Sequence, residues 1–317
     1  MSIPIVLFVY KRANHLKRTL NSLKKEKKIK KIYFFCDGPK DSSSLKEKKE
    51  IAKCLNLVNK VKWAKKTVVI QKKNIGLRKS LFVSTKYVFF KYKHEFAVFL
   101  EDDNVILPGF YDFMNLCSKK FKNNKKVFSV TGYNYLLKKN LYNSVKGSHF
   151  FLNVTCTWSI GIWKRSWKEW KKQISLLGKT PKRHVFKDIL KEKNYFLYDA
   201  LLEGYGKPSN AGSTFAYTSW KYNFLNVYPK YPLINNTGMD GTGENCASTS
   251  EFINSKKFPK NHKIKIDNTK VKLNHKVNEG VMIKLKLSKK KILFYKYFSL
   301  ELQNFLLKCY QGLRKLI

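Results

Sequence analysis

Acidic residues are scarce in this chain: 21 Asp and Glu stand against 65 Lys and Arg over 317 residues, a formal net charge of +44. Taken alone, that excess points to nucleic acid, anionic lipid or phosphorylated ligands. Arginine is scarce beside lysine, however, and a dedicated nucleic-acid reader draws on Arg for base edges and bidentate phosphate contacts. Lys, Asn, Ile, Phe and Tyr are all abundant, the bias of an AT-rich genome, so part of the charge is compositional and no nucleic-acid partner is expected. Cysteine is sparse and scattered, with no C-x-x-C pair and no histidine at zinc-like spacing. That leaves no zinc finger and no disulfide framework, and favours a reducing, cytoplasmic setting. No apolar run approaches the roughly 18 residues of a membrane-spanning helix. The opening MSIPIVLFVYKR is too short in apolar residues, and lacks a basic residue ahead of them, to read as a signal peptide. The sequons at Asn153 and Asn235 matter only in a secreted chain. Internal repeats are absent. The expectation is a cytoplasmic protein, soluble or peripheral on the inner face of the membrane.

What is present is a globular composition, 43% apolar and 15% aromatic. Residues 3–10 form a continuous apolar, β-branched run, as in a strand buried on both faces. Asn14 then opens a helical pattern to residue 23, with Leu16, Leu20 and Leu23 at helical spacing. Further strands are expected at 32–36, 67–70 and 96–100, and helices at 45–58 and 77–90. This alternation argues for a parallel α/β sheet. Ligands of such sheets bind at the carboxyl ends of the strands. Three polar clusters fall there: Lys11-Arg12, Asp37-Gly38 and Glu101-Asp102-Asp103. Beyond them come a helix at 108–121, a strand at 127–131, a Trp-rich stretch at 157–170, and a loop-rich stretch at 204–245 holding six of the fifteen glycines.

Capping accounts for one carboxylate comfortably and for three in a row poorly. Mg²⁺ or Mn²⁺ takes carboxylate oxygen, keeps waters and shares its shell with substrate phosphates. A neighbouring carboxylate can accept from ribose hydroxyls. The segment AVFLEDDNVILPGFYDFM resembles the stretch of GT-A-fold glycosyltransferases in which an E-D-D, a D-x-D variant, closes the donor strand before a P-x-F helix. It is most similar to the N-acetylglucosaminyltransferase I type and related bacterial sugar transferases. PIVLFVYKR, FFCDGP, NIGLRKS, VTGYN, TWSIGIWKRSWKEW and VYPKYPLINNTGMDGTGENC agree in order, so the resemblance covers roughly residues 3–246.

The resemblance implies a Rossmann-like GT-A fold, a mixed and mainly parallel α/β sheet with flanking helices. It implies metal-dependent, inverting transfer from a nucleotide sugar, UDP-linked, to a hydroxyl of a glycan or lipid-linked glycan in bacterial lipo-oligosaccharide or capsule synthesis. Asp103 would ligate Mn²⁺ or Mg²⁺, Asp102 would contact the ribose, and Glu101 the donor sugar. Arg12 would lie near the donor diphosphate, Asp37 would accept from the nucleobase, and Asn74 and Arg78 would belong to a donor-side loop. The plain alternatives are a surface charge for Arg12 and a D-G turn for Asp37. Trp158 and Trp163 would shape the sugar and acceptor sites, although their spacing suits core packing equally; Trp167 and Trp170 lean towards core.

Inversion needs a general base. Related enzymes supply an Asp upstream of the Y-P strand, and here that position falls near Gly212, with no carboxylate. Asp199 and Glu203 are the nearest upstream acids, and Asp240 in the glycine-rich loop is a third candidate. Without a base the chain would be a non-catalytic nucleotide-sugar or glycan-binding relative. The expected organisation is a donor half at 1–135, an acceptor half at 136–280 and a basic amphipathic C-terminal helix at 281–317. In that helix Phe298, Leu302, Phe305, Leu306 and Cys309 share one face. It either docks on the domain or lies in the plane of an anionic membrane.

Overall fold

A computed structural model describes residues 2–313 apart from Leu136, Lys138, Ser144, 205–210, 244–248, 250–263 and Lys286. The first strand, β1 (Ile5–Val9), is almost wholly buried, as a strand covered on both faces must be. It leads through α1 (Ala13–Lys25) to β2 (Lys31–Cys36), then α2 (Leu45–Asn59), β3 (Lys65–Ile70), α3 (Gly76–Thr85) and β4 (Phe96–Leu100). All four strands pair in parallel, in the order β3-β2-β1-β4. Ser44 and Glu47 close a reciprocal capping box at the start of α2. Two boundaries differ from the spacing. Arg12, not Asn14, is the N-cap of α1, and its side chain turns away to the acidic triplet. Where periodicity predicts one helix over 77–90, α3 ends at Thr85 and the chain enters a π-helical turn at Lys86–Lys91, closed by Tyr92 N donating to Tyr87 O at 2.8 Å.

After β4 come β5 (Asn104–Ile106), α4 (Phe110–Lys120), β6 (Val127–Thr131), β7 (His149–Leu152) and β8 (Ile160–Trp163). Four helices come next, α5 (Lys164–Lys179), α6 (Lys182–Lys191), α7 (Tyr195–Gly204) and α8 (Gly212–Lys221). The chain then returns through β9 (Leu225–Pro229) and β10 (Ile234–Asn236) before α9 (His275–Lys284), α10 (Lys289–Tyr297) and α11 (Leu300–Leu313). The main sheet has eight strands in the order β3-β2-β1-β4-β8-β6-β9-β7, with β8 antiparallel between β4 and β6. The result is a mixed, mainly parallel α/β sheet flanked by helices, and one continuous sheet runs through both halves divided at residue 135.

Two apolar clusters cover the two faces of this sheet, one built on Ile5, Leu7 and Val9 and the other on Val6, Tyr33 and Phe35. Alternate residues of the same strands supply them, as the pleat requires. Trp167 and Trp170 belong to the second, with Trp170 stacked on Phe215 at 4.1 Å. A separate cluster joins α6, α7 and α8 to α10 through Ile189, Tyr198, Leu201 and Tyr295. Among the described residues the cysteines are free, and no helix is long and apolar enough to cross a membrane.

Candidate active site

Because β1, β2 and β4 are parallel, their carboxyl ends open on one edge of the sheet, and all three polar clusters meet there. A cavity of about 500 Å³ lies at this edge, lined by Arg12, Asp37, Asn74, Glu101, Asp102 and Asp103 together with Lys40 and Lys79. Six of the seven donor-side and metal residues expected from the sequence therefore converge. Arg78 is the exception: it sits on the first turn of α3, and its neighbours Lys79 and Ser80 reach the cavity instead.

Arg12 organises the centre. Its Nη2 donates to Asp102 Oδ1 and, at 2.7 Å, to Asp103 Oδ2. All three side chains are largely buried, at 16%, 6% and 9% exposure. Burial works against the guanidinium charge, but Asp102 and Asp103 more than restore it and raise its pKa. Burial pushes Asp102 up to about 6, against the opposing pull of Arg12. Glu101 is pushed up to about 8, by burial first and then by Asp103 and Asp102, with Arg12 pulling the other way. The triplet therefore holds neutral and charged carboxyls side by side at neutral pH.

Asn104, fully buried, ties this group together. Its Nδ2 donates to Asp103 Oδ1 at 2.7 Å, and its Oδ1 accepts from Glu101 N at 3.1 Å and Ser159 N at 3.2 Å. Ser159 holds a left-handed φ of +57°, a strained position for a side-chain-bearing residue. A second clasp comes from the strand pair β5–β10, which delivers the loop 237–243 onto the triplet. Thr237 N donates to Asp103 O at 2.9 Å. A Cβ at Gly238 would fall 2.0 Å from Asp103 Oδ2, so only glycine allows this approach. Asp240 then meets His15, whose Nε2 lies 3.0 Å from Asp240 Oδ2 and 3.0 Å from the Thr237 carbonyl.

Asp37 lines the cavity and also holds a neighbouring loop. Its carboxylate accepts from Ile75 N at 2.8 Å, Gly76 N at 2.9 Å and Gly38 N at 3.1 Å. It thus anchors the Asn74–Gly76 loop and caps α3, while burial raises its pKa against those bonds. Trp163 is corrected outright. It is 2% exposed, packs on Phe96 at 4.9 Å and donates Nε1 to Ser118 O at 3.2 Å, so it is core. Trp158 is half-buried, edge-on to Tyr133 at 4.8 Å, and adjoins the Ser159 that Asn104 holds.

The three candidate bases separate. Asp199 faces α10, bonded to Tyr295 and at 2.6 Å to Lys291, and does not line the cavity. Its helix α7 is drawn there by the apolar cluster around Tyr198 and Tyr295. Glu203 lies on the same helix, and its side chain is outside the described residues. Asp240 lies in the loop 237–243 that covers the triplet, paired with His15. Bonds from Thr242, foremost, hold its carboxyl down at about 2, which makes it a weak proton acceptor.

The donor chemistry suits a hard divalent cation, which takes one or two carboxylates and completes its shell with water and phosphate oxygens. Asp102 and Asp103 would supply those carboxylates, and Arg12 now bonds one oxygen of each. No cluster of three or more His, Cys, Asp or Glu side chains suited to a metal forms among the described residues. The residues thus fit a cation held jointly with a phosphate-bearing ligand, and not an all-protein cage. Tyr10 lines the cavity, and its hydroxyl is buried with no hydrogen-bond partner among the described residues. A buried hydroxyl left unpaired is costly. Removing that hydroxyl relieves the cost, so Tyr10→Phe is expected to raise the melting temperature by roughly 2 °C or more. Differential scanning calorimetry of the two proteins reads the difference. His15, Tyr10 and Gly238 carried no sequence signal beyond their neighbours. Asn104 alone had a hint, as the residue completing E-D-D-N.

Glu101 makes stability depend on pH. Its carboxyl holds its proton to about 8 when folded, against an ordinary value near 4.5. The folded state therefore binds more protons than the unfolded one across that window, and stability falls as pH rises through it. Glu101→Gln removes this fall. Melting temperature against pH should be flatter for the variant, and higher than wild type at pH 8 by roughly 2 °C or more.

No protein-family model and no curated protein matches the chain. Solved structures with related architecture do. One is a UDP-glucose pyrophosphorylase complexed with UDP-glucose, with TM-score 0.36, 8% identity, and coverage of 75% of this chain and 94% of that one. Another is the galactosyltransferase LgtC in complex with donor and acceptor sugar analogs, with TM-score 0.33, 8% identity, and coverage of 71% and 73%. A UTP-bound UGPase from Acinetobacter baumannii reaches TM-score 0.32 at 9% identity, covering 72% and 86%. These are distant likenesses.

Proposed function

We propose that the chain is a glycosyltransferase that takes a sugar from a nucleotide sugar, UDP-linked, and passes it to a hydroxyl of a glycan acceptor. The observation that carries this reading is the cavity at the carboxyl ends of β1, β2 and β4, where Arg12 lies between two buried carboxylates and Lys40 and Lys79 add positive charge. Anionic and hydroxylated groups are both served there. Lysines and Arg12 suit a diphosphate, and Asp102 suits a ribose hydroxyl. Asp103, with Asp102, would hold Mn²⁺ or Mg²⁺. That cation supplies positive charge to the departing nucleoside diphosphate. Asn104 fixes the Asp103 carboxylate and the loop 237–243 covers it; the assignment of Trp158 to an acceptor sugar rests on the motif resemblance. Inversion and a role in building a bacterial surface glycan on a lipid-linked acceptor rest on the motif resemblance alone.

The test is UDP release from UDP-sugars in the presence of Mn²⁺, with and without added glycan acceptors. Release that depends on Mn²⁺ and rises with an acceptor supports the reading. A second reading, a non-catalytic nucleotide-sugar binder, is favoured by one observation: Asp199 is tied to α10, and Asp240 is held at about 2. It predicts donor binding without UDP release under any acceptor.

A further inference from the structure

Helix α11 is packed with its polar side inward. Gln303 is 1% exposed: it accepts from the Tyr198 hydroxyl at 2.7 Å and donates Nε2 to Phe298 O at 2.7 Å. The apolar face that the spacing groups together points the other way. Phe298, Leu302, Phe305 and Leu306 are 49%, 39%, 61% and 42% exposed, and Cys309 is exposed as well. A helix whose apolar stripe is shed by its own domain has that stripe free for something else. The patch continues onto α10, where Leu293 and Tyr297 are also exposed. Six of the thirteen exposed large apolar side chains among the described residues fall between 293 and 306.

Positive charge borders this patch. On α10, Leu293, Lys296 and Tyr297 stand at i, i+3 and i+4, on one side of the helix. Lys296 also lines a cavity of about 770 Å³ with Lys187, Lys191 and Lys193. None of these four lysines pairs with a carboxylate among the described residues. Asp188, the acid lining the same cavity, is bonded to Lys221 at 3.2 Å.

We propose that α10 and α11, flanked by Lys187, Lys191, Lys193 and Lys296, dock in the interface of an anionic phospholipid bilayer. The apolar side chains enter the acyl boundary and the lysines meet headgroup phosphates. A second copy of the chain fits less well, because a self-complementary contact would bring the same unpaired lysines together. Nucleic acid would leave the apolar stripe in water.

The test is co-flotation of the full chain with vesicles of phosphatidylglycerol mixed with phosphatidylcholine, and with vesicles of phosphatidylcholine alone. Binding is expected to the first only, and to weaken in high salt. Leu302→Glu with Phe305→Glu is expected to lower vesicle affinity at least about tenfold. Lys187→Glu, Lys191→Glu and Lys193→Glu together should do the same. Both variants change outward side chains and should melt like wild type. Asp103→Asn should bind vesicles as wild type does, which separates this docking from the donor cavity. Equal binding to both vesicle types, or no binding to either, overturns the proposal on the unmodified chain. Unchanged binding by both variants also overturns it. So does a solution dimer that Phe305→Glu dissolves, or binding to duplex DNA in place of vesicles.

Discussion

Asp103→Ala is expected to abolish the proposed sugar transfer, lowering the initial rate of UDP release by about a thousandfold, as loss of charge stabilisation at the departing group does. The fold should survive. Arg12 keeps Asp102 as a partner, and Asn104 keeps its bonds to Glu101 N and Ser159 N. The melting temperature should therefore stay close to that of wild type while the rate collapses. Asp103→Asn is the sharper control, because it keeps the shape and removes the charge. Loss of rate with either variant, without loss of folded protein, assigns the effect to the carboxylate. Full transfer by both would exclude Asp103 as the group that serves the departing nucleotide.

Arg12→Ala is expected to act on stability and ligand binding together. It leaves two nine-tenths-buried carboxylates without the one ion-pair partner they have among the described residues, and breaking such a pair costs about 3–5 kcal/mol. For a chain of this size that is a fall in melting temperature on the order of 10 °C. The carboxylates set the sign with pH. Without Arg12 the Asp102 carboxyl holds its proton more tightly still in the folded state, so the deficit should be largest at high pH and shrink as pH falls towards about 6, where the neutral carboxyl takes over. Adding Asp102→Asn should recover part of the loss, since one buried charge is then gone. Thermal melts of wild type, Arg12→Ala and the double variant across pH 5 to 8 would read this pattern (about a ten-degree gap at the top, narrowing below). Nucleotide-sugar affinity should not recover with pH, because the guanidinium itself is the proposed diphosphate partner.

The first hundred residues were legible because their physics is local. Runs buried on both faces can only be strands of a covered sheet, and Asp37-Gly38 and the triplet mark where they stop. Parallel pairing then carries all three polar clusters to one edge with no further information. The chain beyond the triplet was less legible for a definite reason. The strand β8 enters antiparallel between β4 and β6, and no periodicity in IGIW announces which neighbours it will choose. Trp163, its last residue, points into the core from that placement, whereas Trp158 before it stays near the site. Spacing alone cannot divide them. Asp199 reads as a catalytic acid only while its helix is unplaced. Once Tyr198 and Leu201 are seen to pack with Tyr295, its carboxylate is bound to lie beside Lys291. The hold of Asp37 on the Asn74–Gly76 loop was not legible, because that contact depends on backbone that lies 38 residues away. The face of α11 was legible, but its direction was not. Gln303 decides that direction, and one buried glutamine carries no period.

The central claim is that the carboxyl edge of β1, β2 and β4 binds a nucleotide sugar through Arg12, Asp102 and Asp103. A thermal-shift screen of UDP-sugars, with and without Mn²⁺, on wild type and Asp103→Asn tests it most directly. At least one UDP-sugar is expected to raise the melting temperature by several degrees, as a ligand at about 100 times its Kd does. Mn²⁺ should enlarge the shift, and Asp103→Asn should erase the enlargement. No shift with any UDP-sugar, or an equal shift in the variant with Mn²⁺ present, would contradict the claim.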